Sequence, residues 1–390
     1  MPHKVAIVGV GLSEIVRHSE KSLGALALDA CLAAIDDAGL KVGDIDGICN
    51  YPSPSRLGAG DTDGVDIVGV KYIAQALRLD NLSWFNSMTT GTITASVVEA
   101  AAAIASGICT TALVWRGMHN PRGKFGASGS IQASGDAQFT APYGLANNVM
   151  SFAFAYSQYL AKYGATRRHL GAYVVNCRRN ANLNPAAPHF GKPITLQDYL
   201  DARMIAAPLS LLDCDMPVDG CGAVVLTTAE RARHLRHAPV HIRGAASGGF
   251  KYRHSPIMDL ESCEEGGAGV ARALWKNAGL APRDIDFVNL YDGFSYFVYT
   301  WLEAFGFCRR GEAFQFIQDG RIALEGALPL NPSGGAMGMG RLHGTPQLVE
   351  AVLQLQGRAA DRQLKRANVT LVNSGGPITG NGALVLARDA

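Results

Sequence analysis

Eight cysteines are spread along 390 residues, at 31, 49, 109, 177, 214, 221, 263 and 308, and no two of them form a Cys-x-x-Cys pair. That spacing argues against a zinc ribbon or a thioredoxin-type redox site. Several sit in apolar runs, where a thiol behaves as a small hydrophobe. Lys and Arg number 35 against 33 Asp and Glu, with no basic block, so nucleic acid is not the expected partner. No apolar run reaches the roughly 18 residues of a membrane span, and the start, MPHKVAIVGVG, lacks the apolar length of a signal peptide. The expectation is a reduced, soluble, cytoplasmic chain of two or three domains. A dinucleotide fingerprint is also incomplete. Gly9-Val10-Gly11-Leu12 follows a strand-like run, but Glu14 stands where the third glycine belongs, and no helix pattern opens there.

Charged residues make up only 17% of the chain against 48% hydrophobic, which permits large sheets buried on both faces. Lys4 to Val10, Asp44 to Cys49, Ile108 to Trp115 and Val224 onward read as such strands. Leu23 to Ala38 has helical period, with Gly39 placed as its C-cap. The small-residue run TASVVEAAAAIASG, Thr94 to Gly107, suits a closely packed helix. Asn331 to Ala351, NPSGGAMGMGRLHGTPQLVEA, carries five glycines and then a run of helix formers, with Thr345 as the expected N-cap and Pro346 at the first helical position. A guanidinium, Arg341, and an imidazole, His343, lie between the glycines and the helix. Helix starts offer unpaired N–H groups to negative charge.

The chain also repeats itself. Ala38-Gly39-Leu40, three residues, then Asp44-Ile45-Asp46 recurs 240 residues later as Ala278-Gly279-Leu280 and Asp284-Ile285-Asp286. TASVVEA at Thr94 to Ala100 is echoed by TPQLVEA at Thr345 to Ala351, 251 residues on. Two matches in the same order argue for a duplicated unit. The expected division is residues 1–237, with a cap inserted at about 117–210, and residues 238–390. The loops before the two echoed helices, at Met88 and His343, are then expected at one shared cleft.

Taken together, these features resemble the thiolase superfamily, in particular the thiolase domain of sterol carrier protein X and its lipid-transfer relatives. Three stretches carry the resemblance besides the duplication: NPSGGAMGMGRLHG, LYDGFS at Leu290 to Ser295, and NSGGPITGNGALVL at Asn373 to Leu386. The resemblance implies an α/β fold of duplicated halves in five layers, α/β/α/β/α, with an inserted loop domain. It implies an acyl-CoA ligand, a homodimer core, no metal, and no cofactor beyond the coenzyme A of the substrate.

The departures from that family define the expected chemistry. Met88 stands where thiolases carry the nucleophilic cysteine, and a thioether cannot form an acyl thioester. Asn373 or Ser374 replaces the second cysteine. Arg341 replaces the Gly-His-Pro histidine, with His343 two residues on, and Tyr291 occupies the Asn or His position of the LYDGFS stretch. A base, an oxyanion hole and a proton donor still suffice for retro-aldol cleavage. The resemblance narrows to the steroid side-chain aldolases, which lack the cysteine and carry a tyrosine at this place. It then implies cleavage of a 17-hydroxy steroid carboxyl-CoA to a 17-ketosteroid and propionyl-CoA. It also implies a small OB-fold, zinc-ribbon companion subunit and a heterotetramer. Tyr291 is expected to transfer the proton, its pKa depressed by Arg341 or by cationic His343. Met88, Thr89, Thr90, Asn373, Ser374, Gly375 and Gly376 are expected to line the substrate and oxyanion site. Two rivals are a non-catalytic acyl-CoA or lipid-binding scaffold, and a Claisen-type acyltransferase working without an acyl-enzyme or with Thr89 or Thr90 as acceptor.

Overall fold

A computed structural model describes residues 5–51, 68–88, 92–119, 138–145, 148–248, 258–378 and 381–389. The chain begins with β1 (Val5–Leu12), α1 (Leu23–Asp37), β2 (Gly47–Asn50), α2 (Val70–Ala76), β3 (Trp84–Ser87), α3 (Ile93–Ala105) and β4 (Thr111–Met118). Helices α4 (Asn148–Tyr163), α5 (Arg167–Ala181) and α6 (Leu196–Leu200) and the small hairpin β5 (Met204–Ala206) and β6 (Leu209–Ser210) interrupt the pattern. Then come β7 (Gly220–Thr228), α7 (Ala229–Ala232), β8 (Val240–Gly248), α8 (Leu260–Ala278), β9 (Phe287–Asn289) and α9 (Phe297–Ala304). The last elements are α10 (Ala313–Phe316), α11 (Gly335–Met339), α12 (Thr345–Leu355), β10 (Val369–Ser374) and β11 (Asn381–Ala387).

Strands run in the order β3-β2-β4-β7-β1-β8-β11-β10-β9. Two similar mixed sheets meet where β1 pairs with β8 through only Ala6–His241 and Ile7–Val240. In the first, β2 is parallel to β3 and β4, and β7 is antiparallel to β4 and β1. In the second, β9 is parallel to β10, and β11 is antiparallel to β10 and β8. The counterpart of β3 shrinks to a single parallel bridge between Val288 and Leu330. Asn331, at φ +50°, completes that edge with its side chain: its Oδ1 accepts from the Leu290 N–H, and its Nδ2 donates to the Leu290 carbonyl, each at 2.8 Å.

Both faces of each sheet are covered, which accounts for the apolar runs. Along β1, Ala6 and Val8 pack under α1, while Val5 and Ile7 face α3 and α12, as period-two alternation requires. Val372, Leu384 and Leu386 of the second sheet join that same middle layer, and Leu371, Ala383 and Val385 face outward to α8 and α9. The five expected layers are therefore present. The Gly9-Val10-Gly11 motif serves packing: a Cβ at Gly9 would lie 2.3 Å from the Ala34 carbonyl oxygen, so these glycines let α1 sit close on β1.

The repeated Asp-Ile-Asp does the same work twice. Asp44 and Asp284 each accept from a backbone N–H three residues earlier, Lys41 and Ala281, at 2.8 Å. Asp46 accepts from the Thr110 and Thr111 N–H groups at the start of β4, and Asp286 from those of Asn368 and Val369 at the start of β10. The helix echo is equally physical. The start of α12 packs on β7 and the start of α3 packs on β11, each over a glycine: a Cβ at Gly222 would lie 2.4 Å from Thr345 Cγ2, and one at Gly382 2.7 Å from Thr94 Oγ1. One expectation fails locally. The N-cap of α12 is Gly344, at φ +88°, and Thr345 lies inside the helix with its methyl on Gly222. Gly222→Ala and Gly382→Ala are each expected to destabilise by about 1–3 kcal/mol through overpacking, measured by denaturant unfolding. A neutral result at both sites would refute this shared role.

Candidate active site

The two echoed helix starts meet at Ser374. Its Oγ lies 2.6 Å from Thr94 Oγ1 and accepts from the Thr94 N–H at 3.2 Å. A Cβ on Gly344 would come 2.6 Å from Ser374 Cβ, so the residue before α12 abuts the same point. The next residue, Gly375, turns the chain at φ +92°. Met88, which donates its N–H to the Asn50 carbonyl, packs in the middle layer, with Ser96 Oγ 3.3 Å from its sulfur. Thr89 and Thr90 lie outside the described residues.

Tyr291 follows β9 and is buried. Its N–H donates to Asn373 Oδ1 at 3.0 Å, so Asn373 acts on the tyrosine backbone. The phenol folds back over Gly293, where a Cβ would lie only 2.3 Å from its hydroxyl oxygen. The neighbouring Asp292 anchors the turn. It accepts from the Ala336 N–H at the start of α11 (2.7 Å), from Gln347 Nε2 (2.9 Å) and from the Tyr173 hydroxyl of α5 (2.6 Å). Asn331 Nδ2 in turn donates to that tyrosine at 2.8 Å. Burial outweighs these donors and raises Asp292 to about 6.

The imidazole of His343 stands edge-on to Tyr291, ring centres 6.5 Å apart, with the Tyr51 ring 6.4 Å away on another side. Its backbone is left-handed, φ +50°. Arg116 Nη2 lies 3.4 Å from Nδ1, and Arg341 Nε lies 3.4 Å from Nε2. Arg116 also stacks over Tyr51 at 5.3 Å. A neutral imidazole has one lone pair and one N–H, so only one of these two contacts can be a hydrogen bond at a time. Burial and the two guanidiniums together hold the His343 pKa well below the usual histidine value.

The structure therefore brings Tyr291, Arg341, His343, Asn373 and Ser374 together, and it reverses the expected electrostatics. His343 is neutral and supplies no cationic field. Tyr291 is pushed far above the ordinary tyrosine range by burial first and by Asp215 next, against the opposite pull of Arg341. Three residues at this site, Tyr51, Arg116 and Asp215, escaped the sequence reading. Arg116 had one signal, a charge inside the buried strand run LVWRGM. All eight cysteine thiols are raised by burial, so none is a ready thiolate.

The His343 shift has a consequence for acid stability. Its folded pKa is depressed, so the unfolded chain binds the proton first as pH falls through about 6.5, and stability is lost below that pH. His343→Gln removes this proton linkage. Denaturant unfolding should show the native chain losing up to about 1.4 kcal/mol per pH unit more than the variant below that pH. Parallel losses in the two proteins would contradict a neutral buried imidazole.

Comparisons with known proteins bear on the family and the fold. Residues 251–388 match the family described as thiolase C-terminal domain-like. The chain is 35% identical over 371 residues to the 17-hydroxy-3-oxo-4-pregnene-20-carboxyl-CoA lyase of Mycobacterium tuberculosis, covering 92% of this chain and 93% of that one. It is 34% identical over 402 residues to the steroid side-chain-cleaving aldolase of Thermomonospora curvata, covering 100% and 99% of the two chains. Among solved structures, the Ltp2-ChsH2(DUF35) aldolase superposes with a TM-score of 0.88 at 33% identity, over 99% of this chain and 98% of that one. With this agreement in sequence and fold along nearly its whole length, the chain belongs to the thiolase superfamily, in the branch of the steroid side-chain-cleaving aldolases.

Proposed function

We propose that this protein is a carbon–carbon lyase that cleaves a β-hydroxyacyl-CoA by retro-aldol chemistry. The substrate is a 17-hydroxy steroid side-chain CoA thioester, and the products are a 17-ketosteroid and propionyl-CoA. The observation that carries the reading is the replacement of a nucleophile by Met88, together with the gathering of Tyr291, His343 and Arg341 at the junction of the two helix starts. The names of the relatives support the substrate class.

In this reaction the hydroxyl proton leaves, the carbon–carbon electron pair moves into the thioester enolate, and the enolate carbon then takes a proton. No covalent acyl-enzyme forms, which suits a chain in which burial raises the pKa of every cysteine thiol. Tyr291 handles the hydroxyl proton. The N–H groups of Gly375 and Gly376, at the turn beside Ser374, face the enolate oxygen. Neutral His343 keeps one N–H that its two guanidinium neighbours, themselves only donors, cannot accept, and that N–H goes to a thioester or hydroxyl oxygen once substrate enters. Coenzyme A arrives with the substrate, and no further cofactor enters this reading. A companion of the OB-fold, zinc-ribbon type is part of the proposal, as is a homodimer core with two companions. The support is the solved relative, the Ltp2-ChsH2(DUF35) aldolase, whose name joins two components. No helix among the described residues is long and apolar enough to cross a membrane, which accords with work in the cytoplasm.

Tyr291→Phe removes one hydroxyl and keeps the ring. Cleavage of the 17-hydroxy steroid thioester should slow by roughly 10²–10⁴ while acyl-CoA binding changes little. Iodoacetamide should leave turnover largely intact. Wild-type turnover by Tyr291→Phe would defeat the assignment. Binding of acyl-CoA without any cleavage, with the companion present, would favour the scaffold.

A further inference from the structure

A phenol whose pKa is raised needs somewhere to send its proton. The segment Leu211 to Asp219 carries four acidic or thiol side chains, and two of its acids are already committed. Asp213 accepts from the Tyr199 and Ser295 hydroxyls at 2.7 Å through Oδ1, and from the Ser210 N–H and hydroxyl at 2.7 Å through Oδ2. Asp219 accepts from the Ser19 N–H at 2.9 Å and lies 3.4 Å from His119 Nε2. Asp215 is placed differently. Its N–H donates to the Gly293 carbonyl at 3.1 Å, which is the glycine over which the Tyr291 hydroxyl folds. The next residue, Met216, accepts from the Arg341 N–H at 2.8 Å. The Asp215 backbone is thus fastened on one side to the tyrosine turn and on the other to the arginine loop. Its carboxyl is buried in the cluster that holds Tyr291, Arg341 and Asp292, and the charges of these groups act on one another.

We infer that Asp215 is the proton acceptor behind Tyr291, forming with it a two-step relay for the retro-aldol reaction proposed above, on which this inference rests. As the substrate O–H bond breaks, a new O–H bond forms on Tyr291, and the phenolic proton passes to the Asp215 carboxylate. The carbon–carbon electron pair goes to the enolate. The proton held by Asp215 then returns through the phenol to the enolate carbon, so the cycle ends with Asp215 ionised, and no outside acid or base is consumed. Asp215 acts through Tyr291 and positions its proton.

Burial first, and Asp292 after it, raise the Asp215 carboxyl to about 7, with Arg341 pulling the other way. A carboxylate that accepts protons near that pH is matched to relay work. The sign follows: the relay needs the ionised form, so kcat/KM should fall as pH drops below about 7, tenfold per unit. Asp292 also titrates, at about 6, but its oxygens are taken by Tyr173, Gln347 and backbone donors.

The experiment uses the full chain with its companion subunit and follows release of propionyl-CoA from the 17-hydroxy steroid thioester between about pH 5 and about pH 9. Asp215→Asn should lower kcat by roughly 10²–10⁴, change KM little, and abolish the acid limb near 7. Asp215→Glu should restore part of the rate and a limb of the same direction. Because ionised Asp215 is costly in the folded chain, Asp215→Asn should also gain thermal stability over wild type as pH rises from about 4 to about 7. That gain shows that a slow variant is folded. An Asp215→Asn enzyme with wild-type kcat and an unchanged limb overturns the relay and leaves the lyase reading standing. If Asp215→Asn fails to fold, an active Asp215→Glu enzyme without an acid limb overturns the relay. A wild-type protein that cleaves no such thioester overturns both.

Discussion

The carboxylate of Asp292 is the constraint on which the rest of the site depends. It is buried, and it closes four parts of the chain onto one point: the tyrosine turn after β9, the start of α11 in the glycine loop, Gln347 of α12, and helix α5 of the intervening segment. A charge in that place is tolerable because each oxygen has donors. Losing the donors would leave an uncompensated acid in the core. The same bonds fix where Tyr291 points, since the tyrosine directly precedes the anchored residue and is held by Asn373 at its own N–H. Placement of the phenol follows from the satisfaction of a neighbour.

Around that anchor the site is buried and crowded with ionisable groups, and burial is the leading cause of every shift resolved there. It raises Tyr291, Asp215 and Asp292, and it lowers His343 and Arg116, the last to about 10. All five shifts favour the uncharged form. This is a different solution from activating one thiol. A nucleophile needs a depressed pKa, whereas moving a proton between neutral partners needs acids and bases whose affinities have been brought closer together.

Much of the fold was legible because it is written in local patterns. The Asp-Ile-Asp repeat announces two sheets, since the same carboxylates bind the same backbone N–H groups in both. The apolar runs announce strands covered on both faces. Tyr291, Arg341 and His343 could be found because each lies in a short glycine-bearing motif with a recognisable neighbourhood. Asp215 and Tyr51 could not, because no local pattern marks them, and Arg116 was marked only by its charge in an apolar strand run: they reach the site from an irregular segment, a loop and a strand that only the folded chain brings together. The electrostatic expectation failed for a related reason. A nearby cation lowers a phenol's pKa only if the cation exists, and whether His343 is protonated depends on burial and on two arginines distant in sequence or masked by a turn. The cap of α12 was misjudged because Thr345 has the right chemistry for capping but is used for its methyl group, which fills the space over Gly222.

The crossing of the two helix starts onto each other's sheet bears on how the chain matures. Helix α3 is made early, yet its first turn rests on Ser374, 280 residues further along the chain, and on Gly382 beyond it. Strand β1 likewise waits for β7, more than 200 residues later. The first half therefore emerges with a small-residue helix start that has no seat, and final closure is a long-range event of the kind that folds slowly. The junction at Ser374 needs both α3 and β10, so a chain that stops before β10 carries exposed apolar surface and lacks the candidate site.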